Sequence, residues 1–223
     1  MKRQHLSPLV IALCLYLLLF SIYLLIYSGL FYSFDGISRF SVTESLVKRG
    51  AFDIPQVWGL STHHRFGRDG EYYSKYGIFP SLLAAPLYWI ALHSKRLGLV
   101  QTVMLLNAFI TAVTGSLIFL YVKGLGYSRN ASLFVGIIFG LCTTALVYAK
   151  YYQSEPIVSL CLLATAYVLF KRKGSSNRNK GSSAYALLAG LTLGLAIASR
   201  PEAVLAIPVF FLYGFYHEGQ VCG

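Results

Sequence analysis

Two carboxylates and two cations stand out in this sequence because each lies beside a long apolar stretch rather than within one: Asp35, Glu155, Lys75 and Arg200. A carboxylate so placed can take a proton from a hydroxyl group. A fixed cation can hold an anionic group such as a phosphate. Three further candidates accompany them: Arg39, four residues after Asp35, and Asp69 and Glu71 in the run GRDGEYYSKYG at residues 67–77. Asp35, Glu44, Asp53, Asp69 and Glu71, five of the eight acidic residues, all fall between the first apolar stretch and the second. His63 and His64 invite a metal reading, but adjacent histidines point in different directions and no third ligand has suitable spacing. No metal site or cofactor is therefore expected, with dependence on a free divalent cation left open. Cys14, Cys142, Cys161 and Cys222 are scattered and form no disulfide framework.

The elements that must position these residues are apolar. Hydrophobic residues make up 56% of the 223, charged residues only 12%, and there are 17 Tyr and 15 Phe. A water-soluble domain with so few charges is hard to keep in solution. Apolar stretches occupy residues 8–32, 78–93, 99–122, 131–149, 157–170, 185–198 and 203–216. Several reach the roughly 20 residues that a helix needs to cross about 30 Å of hydrocarbon. The first follows Met1-Lys2-Arg3 but continues for about 25 residues with no small-residue cleavage site, so it reads as an uncleaved anchor.

The net charge of +11 is explained by its distribution. The densest run, KRKGSSNRNKGSS at residues 171–183, is a polar connector between apolar segments and obeys the positive-inside bias, whereas no motif supports nucleic-acid binding. Counting every apolar stretch as a span would put this run outside if the N-terminus is inside. The conflict disappears if residues 78–93, which carry Pro80, Pro86, Tyr88 and Trp89, lie in the outer interface or only dip into the bilayer. The expected architecture is thus all-α and multi-pass in the inner (plasma) membrane, a single membrane domain over residues 1–223 with about six transmembrane helices. It comprises a first span at 8–32, an outer loop at 33–98 with interfacial helices, and five further spans over 99–217, with a cytoplasmic N-terminus.

Within the outer loop, the apolar residues of 37–48 approximate one helical face with Arg39, Glu44 and Lys48 opposite, which predicts an amphipathic helix lying on the bilayer. Each candidate also has a plainer reading. Asp35 fits a helix cap, Lys75 a side chain reaching the headgroups, Glu155 a first-turn carboxylate before Pro156, and Arg200 with Glu202 an interfacial ion pair. Gly190 and Gly194 have the small-xxx-small spacing that predicts close helix packing.

The order of Asp35 soon after the first span, the YYSKYG run before a Pro-containing apolar helix, the AKYYQSEP junction and the SRPE junction resembles the GT-C superfamily of integral-membrane glycosyltransferases. Within that superfamily the chain is most similar to the protein mannosyltransferase and aminoarabinose transferase group. The resemblance covers this whole chain but only the amino-terminal half of a usual member, which leads us to expect a chain truncated at its C-terminus. It implies a polyprenyl-phosphate sugar donor, a glycan, lipid or protein acceptor, and catalysis at the outer face. Asp35 would act as general base on the acceptor or position it, and Lys75 would be the donor-phosphate contact, with Asp69 or Glu71 at the preceding acidic position. Glu155 would match the acidic residue of a later span and Arg200 a second basic group. A transporter or flippase, or a non-catalytic membrane subunit, remains the alternative from another class. Internal repeats, the mark of many transporters, are not found.

Overall fold

The computed structural model describes residues 7–57, 64–174 and 178–219. Nine α-helices occur among them: α1 (Pro8–Leu25), α2 (Phe34–Arg49), α3 (Phe79–His93), α4 (Leu99–Gly124), α5 (Arg129–Cys142), α6 (Ala145–Tyr148), α7 (Glu155–Gly174), α8 (Arg178–Ser199) and α9 (Ile207–Gly219). The all-α expectation holds, with one small addition. A two-stranded antiparallel hairpin, β1 (His64–Phe66) and β2 (Tyr72–Ser74), pairs Arg65 with Tyr73. Its turn is made by Arg68-Asp69-Gly70, where Gly70 takes a left-handed φ of 84° that a side chain disfavours. Three-residue strands are too short for an alternation to be read in the sequence.

Among the described residues two helices, α1 and α4, are long and apolar enough to cross a membrane; α3, α5 and the apolar part of α8 are shorter. The 15 residues of α3 extend about 22 Å at 1.5 Å per residue, less than a hydrocarbon core. The apolar stretch expected at 8–32 is helical only to Leu25, after which the chain turns through Gly29 with φ 65°. The stretch expected at 131–149 is interrupted at Thr143, whose backbone is extended and whose hydroxyl accepts from Ala145 N. Conversely, α7 and α8 run into the charged connector, leaving only residues 175–177 between them.

α4 is the central element. One of its sides joins α1 and α5 around Leu15, Leu19, Tyr23, Ala108, Ala112 and Phe119. Another joins α3, α7 and α8 around Tyr88, Val103, Met104, Ile110, Ile157 and Ala196. The helix ends sort into two groups. At one end, Tyr27, just past α1, donates to the carbonyl of Gln101 in the first turn of α4, and Tyr23 donates to the carbonyl of Gly140 near the end of α5. The start of α7 and the end of α8 lie at this same end, joined by Glu155 and Arg200. At the other end, Gly124 at the close of α4 sits against Phe170 near the close of α7. Strand-like alternation of direction through α1, α4, α5, α7 and α8 therefore keeps α2, the hairpin and α3 together at one end of the bundle. The basic residues Lys123, Arg129 and Lys171 gather at the opposite end.

The close helix approach expected at Gly190 and Gly194 is found elsewhere. Both of these glycines face open space on α8, whereas Gly136 and Gly140 on α5 and Gly115 on α4 receive Leu15 and Leu19 of α1. A Cβ on Gly140 would stand 2.6 Å from Leu19 Cδ2 and 3.0 Å from Tyr23 Oη. Spacing alone marks a face; which face meets a neighbour depends on the packing. We expect Gly140→Val to lower the thermal stability of the detergent-solubilised protein by about 1–3 kcal/mol, as overpacking does. Gly190→Val should change it by under about 0.5 kcal/mol, as surface substitutions do. Equal effects at the two sites, read by thermal unfolding, would contradict this arrangement.

Candidate active site

α2 is built differently from the simple amphipathic helix expected at residues 37–48. Its buried residues include Ser38, Arg39, Ser41, Thr43 and Ser45 beside Val42, so the face turned inward is largely polar. Arg39, expected on the solvent side, is 3% exposed. The reason lies in the partners that await it. Arg39 Nη1 donates to Gln153 Oε1 at 2.9 Å and Nη2 to Ser154 Oγ at 3.2 Å, and its guanidinium lies 4.3 Å from the centre of the Tyr76 ring. Burial pulls the Arg39 pKa below its ordinary value, and the carboxylates of Glu155 and Asp35 pull it back. A buried charge is tolerable only when so surrounded.

The cap of α2 is Ser33, whose hydroxyl accepts from Gly36 N at 3.3 Å. Asp35 is therefore a first-turn residue and not the cap, in the position where the helix dipole favours an anion. Its carboxylate accepts a short hydrogen bond from the Tyr76 hydroxyl. Ser33 Oγ also accepts from Gln153 Nε2 at 2.7 Å, so one glutamine joins the helix start to Arg39. Gly36 lies so close to this junction that a Cβ there would be 3.2 Å from the Tyr152 carbonyl.

The junction at residues 149–155 is held from beneath by Asn107 of α4, fully buried, whose Nδ2 donates to the carbonyls of Tyr151 and Gln153, the latter at 2.8 Å. Tyr152, itself buried, donates to the Pro80 carbonyl at 2.9 Å and so ties the junction to the start of α3. Burial pushes its phenol up to about 12. Glu155 opens α7, ahead of Pro156, as expected of a helix start. It pairs with Arg200 across the bundle end, while Glu202 sits 3.6 Å from Arg200 Nε. The local Arg200–Glu202 pair is thus the secondary one. Glu155 Oε2 and Arg39 Nε are both buried without a hydrogen-bond partner among the described residues.

Lys75 is exposed, with its ammonium 5.3 Å from the centre of the Tyr76 ring, on the rim of this cluster. Asp69 and Glu71 are engaged differently. Asp69 accepts from Tyr73 Oη at 2.6 Å and from Glu71 N at 3.1 Å, contacts that shape the hairpin turn. The Tyr73 hydroxyl, with the Glu71 amide, holds the Asp69 carboxyl below its ordinary range. Glu71 is exposed on β2's approach. The structure therefore brings Asp35, Arg39, Glu155 and Arg200 together with Lys75 at the margin, and leaves Asp69 and Glu71 on the hairpin. Tyr76, Gln153 and Ser154 complete the cluster. Each lies within a run quoted from the sequence, yet no pattern singles it out. His63 and the side chain of His64 lie outside the described residues.

Four separate segments converge here, from the first loop, the hairpin exit, the α6–α7 junction and the α8 exit. The sequence pattern of dolichyl-phosphate-mannose-protein mannosyltransferases matches residues 84–220, more than half of the chain. The chain belongs to this family. It is a GT-C glycosyltransferase domain, of a family of integral membrane proteins. The matched residues include Glu155 and Arg200 but stop short of Asp35, Arg39, Lys75 and Tyr76, which the fold brings to the mannosyltransferase-family segment. No curated protein matches the chain.

The most exacting contact is at Gly77, immediately after Tyr76. A Cβ there would collide with the carbonyl oxygens of Ala198 and Ser199, at the end of α8. Backbone cannot give way as a flexible side chain can. We expect Gly77→Ala to abolish detectable activity and lower thermal stability by about 1–3 kcal/mol, because it pushes the Lys75-Tyr76 loop off the Arg200 segment. Wild-type melting behaviour for this variant would refute the contact.

Proposed function

We propose that this bundle end transfers a sugar from a polyprenyl-phosphate donor to an acceptor at the outer membrane face. The observation that carries the reading is the meeting of Asp35, Arg39, Glu155 and Arg200, from three distant segments, at the end of the bundle opposite Lys123, Arg129 and Lys171. In the positive-inside sense the basic end is cytoplasmic and the site end faces outward. The exposed apolar residues of α1, such as Leu13, Leu17, Leu18 and Leu25, are those of a helix in contact with lipid.

The chemistry follows from charge. The acceptor hydroxyl oxygen attacks the sugar's anomeric carbon as the bond from that carbon to the phosphate oxygen breaks. The polyprenyl phosphate departs with the electron pair, and Asp35 takes the acceptor's proton. Lys75, exposed on the rim, meets the phosphate first, and Arg200 supplies a second cation whose direction Glu155 fixes by pairing with it. Glu155 is thereby a positioning residue. Arg39 holds the loop and junction together rather than reaching the donor. A lipid tail can remain in hydrocarbon while the sugar stands at this end, beside the interfacial aromatic residues.

Binding of polyprenyl-phosphate mannose to the chain in nanodiscs tests the reading. Lys75→Ala should weaken binding about tenfold, the loss of one charge-assisted contact. Asp35→Asn should keep binding and lower turnover about 100-fold or more. Binding indifferent to Lys75 would favour a transporter or a non-catalytic subunit. Orientation is checked with single cysteines introduced in a cysteine-free background. Glu71→Cys should react with an impermeant thiol reagent on intact cells and Tyr127→Cys only after permeabilisation; the reverse pattern would overturn the outward-facing site.

A further inference from the structure

The geometry points to Tyr76 as the residue that positions Asp35 for proton transfer, held in turn by Arg39 through its ring. This inference rests on Asp35 being the base. Tyr76 donates its phenolic hydrogen to Asp35 Oδ1 across 41 residues of sequence. The phenol stays a donor over the physiological range, because burial, followed by the neighbouring Asp35 carboxylate, raises its pKa. A donor held at one carboxylate oxygen fixes the direction in which the carboxylate faces the acceptor's hydroxyl group.

A tyrosine ring on a loop would not orient a carboxylate unless its own plane were fixed. Two features fix it. The guanidinium of Arg39 lies 4.3 Å from the ring centre, and Arg39 is itself anchored by Gln153 and Ser154. The next residue, Gly77, is pressed against the backbone of Ala198 and Ser199. The α6–α7 junction thus acts on the carboxylate through Arg39 and the Tyr76 ring. Lys75, next in sequence and 5.3 Å from the same ring centre, is brought to the rim by the same arrangement. Base and donor cation are set by one loop.

The test uses hydrolysis of polyprenyl-phosphate mannose by the whole chain in nanodiscs, with water in the acceptor's place. Tyr76→Phe removes only the hydroxyl and keeps the ring for Arg39. We expect kcat to fall about tenfold with donor affinity and thermal stability unchanged, and the Asp35 carboxylate stretching band, assigned by difference against Asp35→Asn, to shift. The decisive measurement is the double variant. If Tyr76 acts through Asp35, Tyr76→Phe adds no further loss to Asp35→Asn. Losses that multiply would overturn the inference, as would a fall in donor affinity or melting temperature that accompanies the fall in kcat. Turnover indifferent to Asp35→Asn would instead remove the base itself, and with it the proposed function.

Discussion

The site end of this protein depends on one buried guanidinium. Arg39 is removed from water at a cost that only specific partners offset. Those partners come from three segments: the side chains of Gln153 and Ser154, more than a hundred residues on, accept from it, the Tyr76 ring of the hairpin exit covers it, and Glu155 and the nearby Asp35 supply the negative field. Each partner is therefore constrained in turn. α2 cannot slide along the bundle without leaving a charge unpaired, and the loop before α3 cannot lift without exposing the guanidinium. The carboxylate of Asp35 and the ammonium of Lys75 are held near each other because both neighbour a ring that Arg39 holds.

Beneath this polar layer the support is apolar and close. α4 is the shared wall of two clusters, one with α1 and α5 and one with α3, α7 and α8. Its fully buried Asn107 spends both donors on the carbonyls of the α6–α7 junction. That single side chain links the central helix to the segment bearing Gln153, Ser154 and Glu155. Buried donors so placed select one arrangement of the chain rather than simply adding stability. Small residues at Gly115, Gly136 and Gly140 let α1 approach the other helices, whose packing cannot draw on a hydrophobic effect where lipid surrounds them.

Much of the outline was legible from residue types. The apolar stretches mark the main helices, Pro156 and Glu155 mark the start of α7, and the short Pro-rich segment at 78–93 reads as a helix unlike its neighbours. The charge distribution already separated the two ends of the bundle, because Lys and Arg in short connectors carry a directional signal independent of packing. Asp35, Glu155 and Arg200 stood out as candidates because they are charged groups at the edges of apolar segments. The family resemblance read from the order of these junctions is shown by the family's sequence pattern over residues 84–220.

What tertiary structure alone decided is which side of each element faces inward. Periodicity placed Arg39 opposite the apolar face of a helix lying on the bilayer; here α2 also packs against a polar junction, so its polar residues Ser38, Arg39, Ser41 and Thr43 are buried as well. Spacing marked Gly190 and Gly194, but a neighbouring helix happened to meet Gly136 and Gly140. Asp69 and Glu71 were equivalent as sequence, and the hairpin turn separated them by engaging Asp69 with Tyr73. The sequence by itself determined the helical character, the division of charge between the two ends and the residues able to do chemistry, since these follow from local composition. Their convergence arises from contacts between residues as far apart in sequence as 41, 115 and 120 positions, which no local pattern encodes.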